Sequence, residues 1–352
     1  MKLIIVNYSM NPKSVIFSHQ RDTVLALANY FEAIDVFTCE SYHEVLPHNV
    51  KVTKIVWDKN SPLKNVFRVL KTLYPSLIRN KRATLFSHMT DAHSALISPL
   101  TWALRIRHVL WYAHAHNSFY LIWSSLFVSK IISSTKGSCN LRVNRRKVKY
   151  INQGIDQKVF SYGSRKSKKS SRILYYGRLD ESKNIHLFSD LIDELNKKGN
   201  FTLDIFGKSS EVKSQGYLLS VQTKVAASSS KKEISFHGAI ERRNISKIAG
   251  QYCYFLNLFD GSLDKTLIEA SLMRLAVVTW NSEYCSLFGT WNGGPVKKTL
   301  NFIHDEFQAI QLMPLLAFQE EIQRRYDIAI HDHSFDGWIN RLVIELKSDE
   351  SL

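Results

Sequence analysis

Residues 173–184 read ILYYGRLDESKN. Ile173, Leu174, Tyr175 and Tyr176 make an uninterrupted apolar run, of the kind that fills a parallel strand covered on both faces. Downstream, Ile185, Leu187, Phe188, Leu191, Ile192 and Leu195 recur at helical spacing and predict an amphipathic helix. Gly177, Arg178 and Lys183 stand between the two, so cations flank a strand-to-helix turn. In an open parallel sheet such a turn lies at the carboxyl end of the strand, where ligands bind, and the start of a helix favours anions. The stretch predicts an α/β sheet with an anionic ligand at that end.

The same alternation runs outward in both directions. KLIIVNY (2–8), a helix near 22–31, IDVFTC (34–39), ATLFSHM (83–89), HVLWYAH (108–114) and SKIISST (129–135) precede it, and FTLDIFG (201–207), EISFHGA (233–239), YCYFLNLF (252–259) and LAVVTW (275–280) follow. Strands alternating with helices give an α/β class with mostly parallel sheets. The polar, cationic stretch SYGSRKSKKSSR (161–172) breaks the pattern and reads as a linker. Two Rossmann-like domains are expected, residues 1–160 and 161–330, with 331–352 as a final helix returning to the first domain, capped by Ser334 or Asp336.

Several classes are excluded or narrowed by composition. The longest apolar candidate for a membrane span, residues 109–132, is cut by His114, His116, Asn117 and Lys130, and the N-terminal apolar run is too short for a signal peptide. Cys39, Cys139, Cys253 and Cys285 are too widely spaced for a metal motif and read as free thiols of a reducing compartment. The net charge is +16, and it is uneven: residues 1–160 hold 22 Lys and Arg against 8 Asp and Glu, whereas 161–352 hold 25 against 23. An acidic membrane surface is the partner this suggests, with nucleic acid as the competitor and a merely solvated basic surface as the plain alternative. KNVFRVLKTLYPSLIRNKR (64–82) has helical apolar spacing among Lys64, Arg68, Lys71, Arg79, Lys81 and Arg82. It suits either a bilayer-facing helix or one packed inward with a basic outer face.

A second stretch, FDGSLDKTLIEA (259–270), predicts a strand end, a Gly-Ser turn and a helix opening near Asp264. Gly261 would let backbone approach a ligand, the first-turn N–H groups suit a phosphate, and Glu269 offers a carboxylate to sugar hydroxyls. Asp264 as a simple cap and Glu269 as a helix-face charge is the competing reading.

Taken in order, NQGID (152–156), YYGRLDESKN (175–184), FHGAI (236–240) and GSLDKTLIEASL (261–272) resemble glycosyltransferase family 4, the retaining nucleotide-sugar transferases of GT-B fold. SHQRDTVLALANYFEAIDVFT (18–38) and FSHMTDAHSALISPL (86–100) resemble the acceptor domain of bacterial members that build surface glycans. The resemblance implies two Rossmann-like domains facing across a cleft and a hexose donated from a UDP- or GDP-sugar. It implies a lipid-linked or oligosaccharide acceptor for cell-surface polysaccharide or lipopolysaccharide, at the inner face of the cell membrane. It places Arg178 and Lys183 on the donor diphosphate, next to Gly177, and Glu269 on the ribose. His114 would face the donor sugar, with His116 as the substitute; His19 and Gln20 are weaker candidates, and His88 and Asp91 fit helix caps. Many relatives carry a glutamate eight residues before the one matching Glu269, where this chain has Gly261, with Asp260 one step away. Backbone contacts from Gly261, Ser262 and Leu263, beside Asp264, are expected in its place. The loop SMNPKSVIFSH (9–19) lacks the glycines relatives often place there.

No Asp-x-Asp pair stands at a strand end, and the HDH of 331–333 is expected in a loop, so no metal or cofactor is called for beyond the donor itself. The charge building on the departing nucleoside diphosphate then falls to Arg178, Lys183 and the helix start at 261–264. The rival readings are a sugar-nucleotide binding protein without turnover and a GT-B epimerase; nucleic-acid binding ranks below both.

Overall fold

A computed structural model describes residues 1–348 apart from 15–16, 59, 115, 161–169 and 210–211. Most of the expected linker, 161–169, thus lies outside the described residues. The chain divides into two compact units, Met1–Asn152 with Asp336–Leu352, and Gln153–Phe335.

The first unit is built on strands β1 (Lys2–Ser9), β2 (Ala33–Glu40), β3 (Val50–Lys54), β4 (Thr84–His88), β5 (His108–Trp111), β6 (Lys130–Ser133) and β7 (Val148–Tyr150). They form one parallel sheet in the order β3-β2-β1-β4-β5-β6-β7. Helices α1 (Ser18–Leu27), α2 (Pro62–Arg79), α3 (Asp91–Ala103) and α4 (Phe119–Phe127) connect them. α1 starts earlier than the apolar spacing suggests because the buried Gln20 anchors it. The Gln20 amide oxygen accepts from the Tyr8 and Ser9 N–H groups at 2.9 and 3.0 Å, and its nitrogen donates to the His88 carbonyl at 2.8 Å. Val69, Leu73 and Leu77 of α2, four residues apart, pack with Ile4, Val6 and Leu85 of the sheet.

The second unit holds α5 (Gln157–Phe160), β8 (Arg172–Arg178), α6 (Phe188–Leu195), β9 (Thr202–Lys208), α7 (Val212–Ala227), β10 (Ile234–Phe236), α8 (Arg242–Ala249), β11 (Tyr254–Asn257), α9 (Lys265–Leu272), β12 (Ala276–Thr279), α10 (Ser282–Phe288), α11 (Leu300–Leu312) and α12 (Leu315–His333). Its sheet, order β10-β9-β8-β11-β12, is parallel throughout. The opening apolar run behaves as a central strand must: Ile173 and Tyr175 enter the core with Phe188 and Leu191, while Leu174 and Tyr176 enter the opposite core with Leu267 and Ile268. Side chains alternate across the pleat, so an unbroken apolar run feeds two cores at once.

The last helix, α13 (Phe335–Lys347), returns to the first unit. Trp338 packs edge-on against Trp111 at 5.1 Å, Leu342 and Leu346 are fully buried, and Glu345 pairs with Lys130 at 2.6 Å. The HDH residues do not lie in a loop. They close α12, where apolar positions continue helical spacing to Ala329, and the buried His333 ring accepts from the Gln153 N–H at 3.3 Å.

Candidate functional site

One residue before the carboxyl end of β8 stands Gly177, still paired in the sheet with a φ of +154°. Its strand partner is Gly207 of β9, where a Cβ would stand 2.0 Å from the Gly177 carbonyl oxygen. The two strands thus approach more closely than any side chain at 207 allows. The Tyr175 hydroxyl donates to the Arg178 carbonyl at 2.8 Å and holds the exit of the strand. Arg178 itself is exposed and lies 3.4 Å from Asp180.

Lys183 is placed quite differently. It closes a short 3-10 turn, Glu181–Lys183, and only 6% of its surface is exposed. Its ammonium donates to Asp264 Oδ2 at 2.5 Å and sits 3.7 Å from the centre of the Phe259 ring. A buried cation needs such partners, since desolvation without them costs several kcal/mol. Gly261 makes room for this arrangement, because a Cβ there would meet the Phe259 ring at 2.3 Å.

Asp264 is the N-cap of α9: Oδ1 accepts from the Thr266 N–H at 3.1 Å, and Oδ2 accepts from Asn257 Nδ2 at 3.1 Å as well as from Lys183. Burial pushes its carboxyl upward, but the Lys183 charge and these hydrogen bonds outweigh it and hold the carboxyl below its usual value. Asp264 is therefore both cap and counterion, and the structure brings it together with Lys183 across 81 residues of sequence. Glu269 is buried one turn further along α9.

The turn between β11 and α9 is tied down by side chains that sequence reasoning did not single out. Asn184, itself left-handed at φ 52°, and Trp280 donate to the Leu258 carbonyl at 2.9 and 2.8 Å. Asn281 caps α10 through Tyr284 and donates to the Gly261 and Ser262 carbonyls, each at 3.2 Å. Glu283 accepts from the Leu263 N–H at 2.6 Å, and Gln153 donates to the Leu263 carbonyl at 2.6 Å. The expected backbone contact from Leu263 is thus occupied by a carboxylate of α10. Asn-Ser-Glu ahead of an apolar helical run is a capping signal, and it was the available clue to Asn281 and Glu283. Asp260, next to the missing glutamate position, pairs with Lys298 at 2.7 Å.

The first-unit candidates separate by burial. His114 is exposed after β5, with its ring 5.5 Å from that of Tyr112, and the Tyr112 hydroxyl donates to the His116 carbonyl. His19 meets the buried His88 edge-on at 5.5 Å, and Gln20 is fully engaged as described. Asp91 opens α3 behind the N-cap Thr90 and accepts from the Ser118 hydroxyl at 2.5 Å. Among the described residues no three His, Cys, Asp or Glu side chains gather as a metal-binding group.

No family model and no curated protein matches the sequence. Solved structures do match over the whole chain. A glycosyltransferase from Rickettsia africae is 11% identical, covers 99% of each chain and superposes with a TM-score of 0.75. OtsA in its apo form is 12% identical over 100% of both chains, TM-score 0.77. Anabaena HepE, in complex with UDP and glucose, is 13% identical over 99% of this chain and 100% of its own, TM-score 0.73. The fold is GT-B. Identities this low speak for architecture, two parallel α/β units in series, and the chemistry has to come from the residues.

Proposed function

We propose that the chain is a metal-independent, retaining hexosyltransferase. It moves a hexose from a UDP- or GDP-linked donor to a lipid-linked or oligosaccharide acceptor during cell-surface glycan assembly. It works in the cytoplasm against the acidic inner face of the membrane. The observation that carries the reading is the buried Lys183 ammonium, held by Asp264 and Phe259 at the carboxyl end of the second sheet, with Arg178 exposed on the adjoining turn. That is where open α/β sheets bind ligands, and in this reading Arg178 and Lys183 meet the charge of a leaving diphosphate there. The HepE complex with UDP supports a nucleotide donor by likeness of fold.

In this reading the bond from the anomeric carbon to the diphosphate breaks with its electron pair going to the phosphate oxygen. Arg178 and Lys183 stabilise that oxygen, and the acceptor hydroxyl bonds to the carbon from the same face, losing its proton to the departing phosphate. Glu269 accepts from the ribose hydroxyls and His114 faces the sugar. Two observations favour the alternative, binding without turnover: position 261 is glycine, and the Leu263 N–H two residues on is already taken by Glu283.

A thermal-shift screen of UDP, GDP and their sugars tests the donor, since a ligand at a hundred times its Kd adds about 2.7 kcal/mol. Stabilisation by a nucleotide sugar together with sugar transfer supports the proposal; stabilisation without transfer to any glycan or lipid acceptor supports the alternative. Arg178→Ala should lower turnover roughly 100-fold. Its stability should stay within about 0.5 kcal/mol of the parent, because its ion pair is exposed and long. Full turnover in that variant removes Arg178 from the mechanism. Glu269→Gln should weaken free nucleoside diphosphate and nucleotide sugar to the same degree, as a ribose contact requires. Calorimetry showing an unchanged nucleotide affinity would count against the assignment.

A further inference from the structure

Helix α4 is inverted. It turns Leu121, Ser124 and Ser125 inward and leaves Phe119, Tyr120, Ile122, Trp123 and Leu126 at the surface, Phe119 at 74% exposure. Serines inside and aromatics outside are the reverse of what water selects, so a second apolar phase is expected on the outer face. The patch extends onto α3 through Trp102, 59% exposed, whose ring meets Phe127 at 6.1 Å. α2 adds a stripe on the far side of α3, where Leu63, Phe67, Tyr74 and Ile78 are exposed although Val69, Leu73 and Leu77 already fill the core.

The charge around this face is predominantly positive, although Asp58 lies just ahead of α2 near Lys64 and Arg68. From 59 to 155 the sequence holds 16 Lys and Arg and a single acidic residue, Asp91, which is bonded to Ser118 at the start of α4. At the other end of α4, Lys147 donates to the Ser125 and Val128 carbonyls at 3.0 and 2.9 Å, and Asn144 donates to Ser125. These bonds hold a basic turn carrying the exposed Arg145 and Arg146 against the end of the helix. Lys64 and Lys71 border the α2 stripe, Lys71 lying 5.8 Å from the Phe67 ring.

We propose that α4, with Trp102 of α3, is a wedge that enters the interfacial layer of an acidic bilayer, while the α2 stripe and its cations lie along the headgroups. The chemistry selects this occupant. A bilayer offers acyl chains to Phe119, Ile122 and Leu126, an interface to Trp102, Trp123 and Tyr120, and anionic headgroups to the rim, all on one surface. The inference rests on the reading that the chain works at an acidic membrane and adds that apolar insertion, not charge alone, holds it there.

The test uses the whole chain with vesicles of phosphatidylcholine, alone or mixed with phosphatidylglycerol, some carrying brominated acyl chains. The parent should bind the acidic vesicles, keep part of that binding at about 1 M salt, where the Debye length is about 3 Å, and show quenching of Trp102 and Trp123. Phe119→Ser/Tyr120→Ser/Leu126→Ser should lower the partition coefficient about 100-fold while the thermal midpoint is kept. Lys64→Glu/Lys71→Glu should lose low-salt binding and keep the quenching of whatever still binds. Parent-like partitioning of the serine variant, or binding by the parent without bromine quenching, overturns the wedge and leaves the electrostatic reading standing. Absence of any binding to acidic vesicles overturns both. A dimer abolished by the serine substitutions, with no vesicle partitioning, would reassign the face to a second copy of the chain. Should the serine variant not fold, the quenching of the parent decides alone.

Discussion

Lys183→Ala should lose turnover roughly 100-fold or more and, unlike the Arg178 variant, should also unfold far more easily. The two losses have different origins. Turnover falls because the leaving diphosphate loses a fixed cation. Stability falls because Asp264, buried and accepting from Asn257 and Thr266, is left as an uncompensated carboxylate, a defect of about 3–5 kcal/mol. Lys183→Ala/Asp264→Asn separates them: removing both charges should restore much of the stability and none of the turnover. Urea unfolding and initial rates on the same preparations check both expectations. A double variant that regains activity would show that Lys183 is only a structural counterion. Acid adds a further signature. Asp264 is held below its ordinary value, so its contribution to stability is complete above about pH 4 and is lost as pH falls through the lower folded value. In Lys183→Ala that acid-dependent contribution should shrink, because the charge that depresses the carboxyl is gone.

Gly207→Ala should cost about 3 kcal/mol, the upper end of the range for overpacking. The added carbon would stand 2.0 Å from a backbone oxygen of β8 and 3.0 Å from Leu179, and neither a rotamer change nor a small breathing motion relieves a clash with main chain. The strands must separate at the Gly177–Gly207 pair, next to the Arg178–Lys208 pair that ends β8. Gly216 provides the matched control. It lies inside α7 with nothing within 4 Å of the place an added methyl would take, so Gly216→Ala should stabilise by about 0.5–1 kcal/mol. The same chemical change at two glycines is thus expected to act with opposite signs. Equal effects in urea melts would mean that β8 and β9 do not approach as closely as described.

The alternation of apolar runs was legible because strands buried on both faces leave a continuous trace, and β8, β9, β11 and β12 all formed where that trace lies. Lys183 and Asp264 were legible as separate residues of interest. Their contact was not, because no local periodicity encodes a pair 81 residues apart. The contacts of Trp280, Asn281 and Glu283 with the 258–263 turn were hidden for the same reason, although a capping signal marked Asn281 and Glu283 themselves. The α4 stretch was misleading in another way. Apolar composition marks a residue as suited to burial without saying whether protein or another phase buries it, so only the structure shows that Phe119 and Leu126 face outward.

The return of α13 has a consequence for the order in which the molecule is made. Every residue of the second unit, Gln153–Phe335, leaves the ribosome before the helix that completes the first. The second unit can close its core while the first still exposes Trp111 and the sheet flank that Trp338, Leu342 and Leu346 will cover. Of the two units, the one whose sequence comes earlier is therefore completed later, and until α13 has emerged its uncovered sheet flank is open to aggregation.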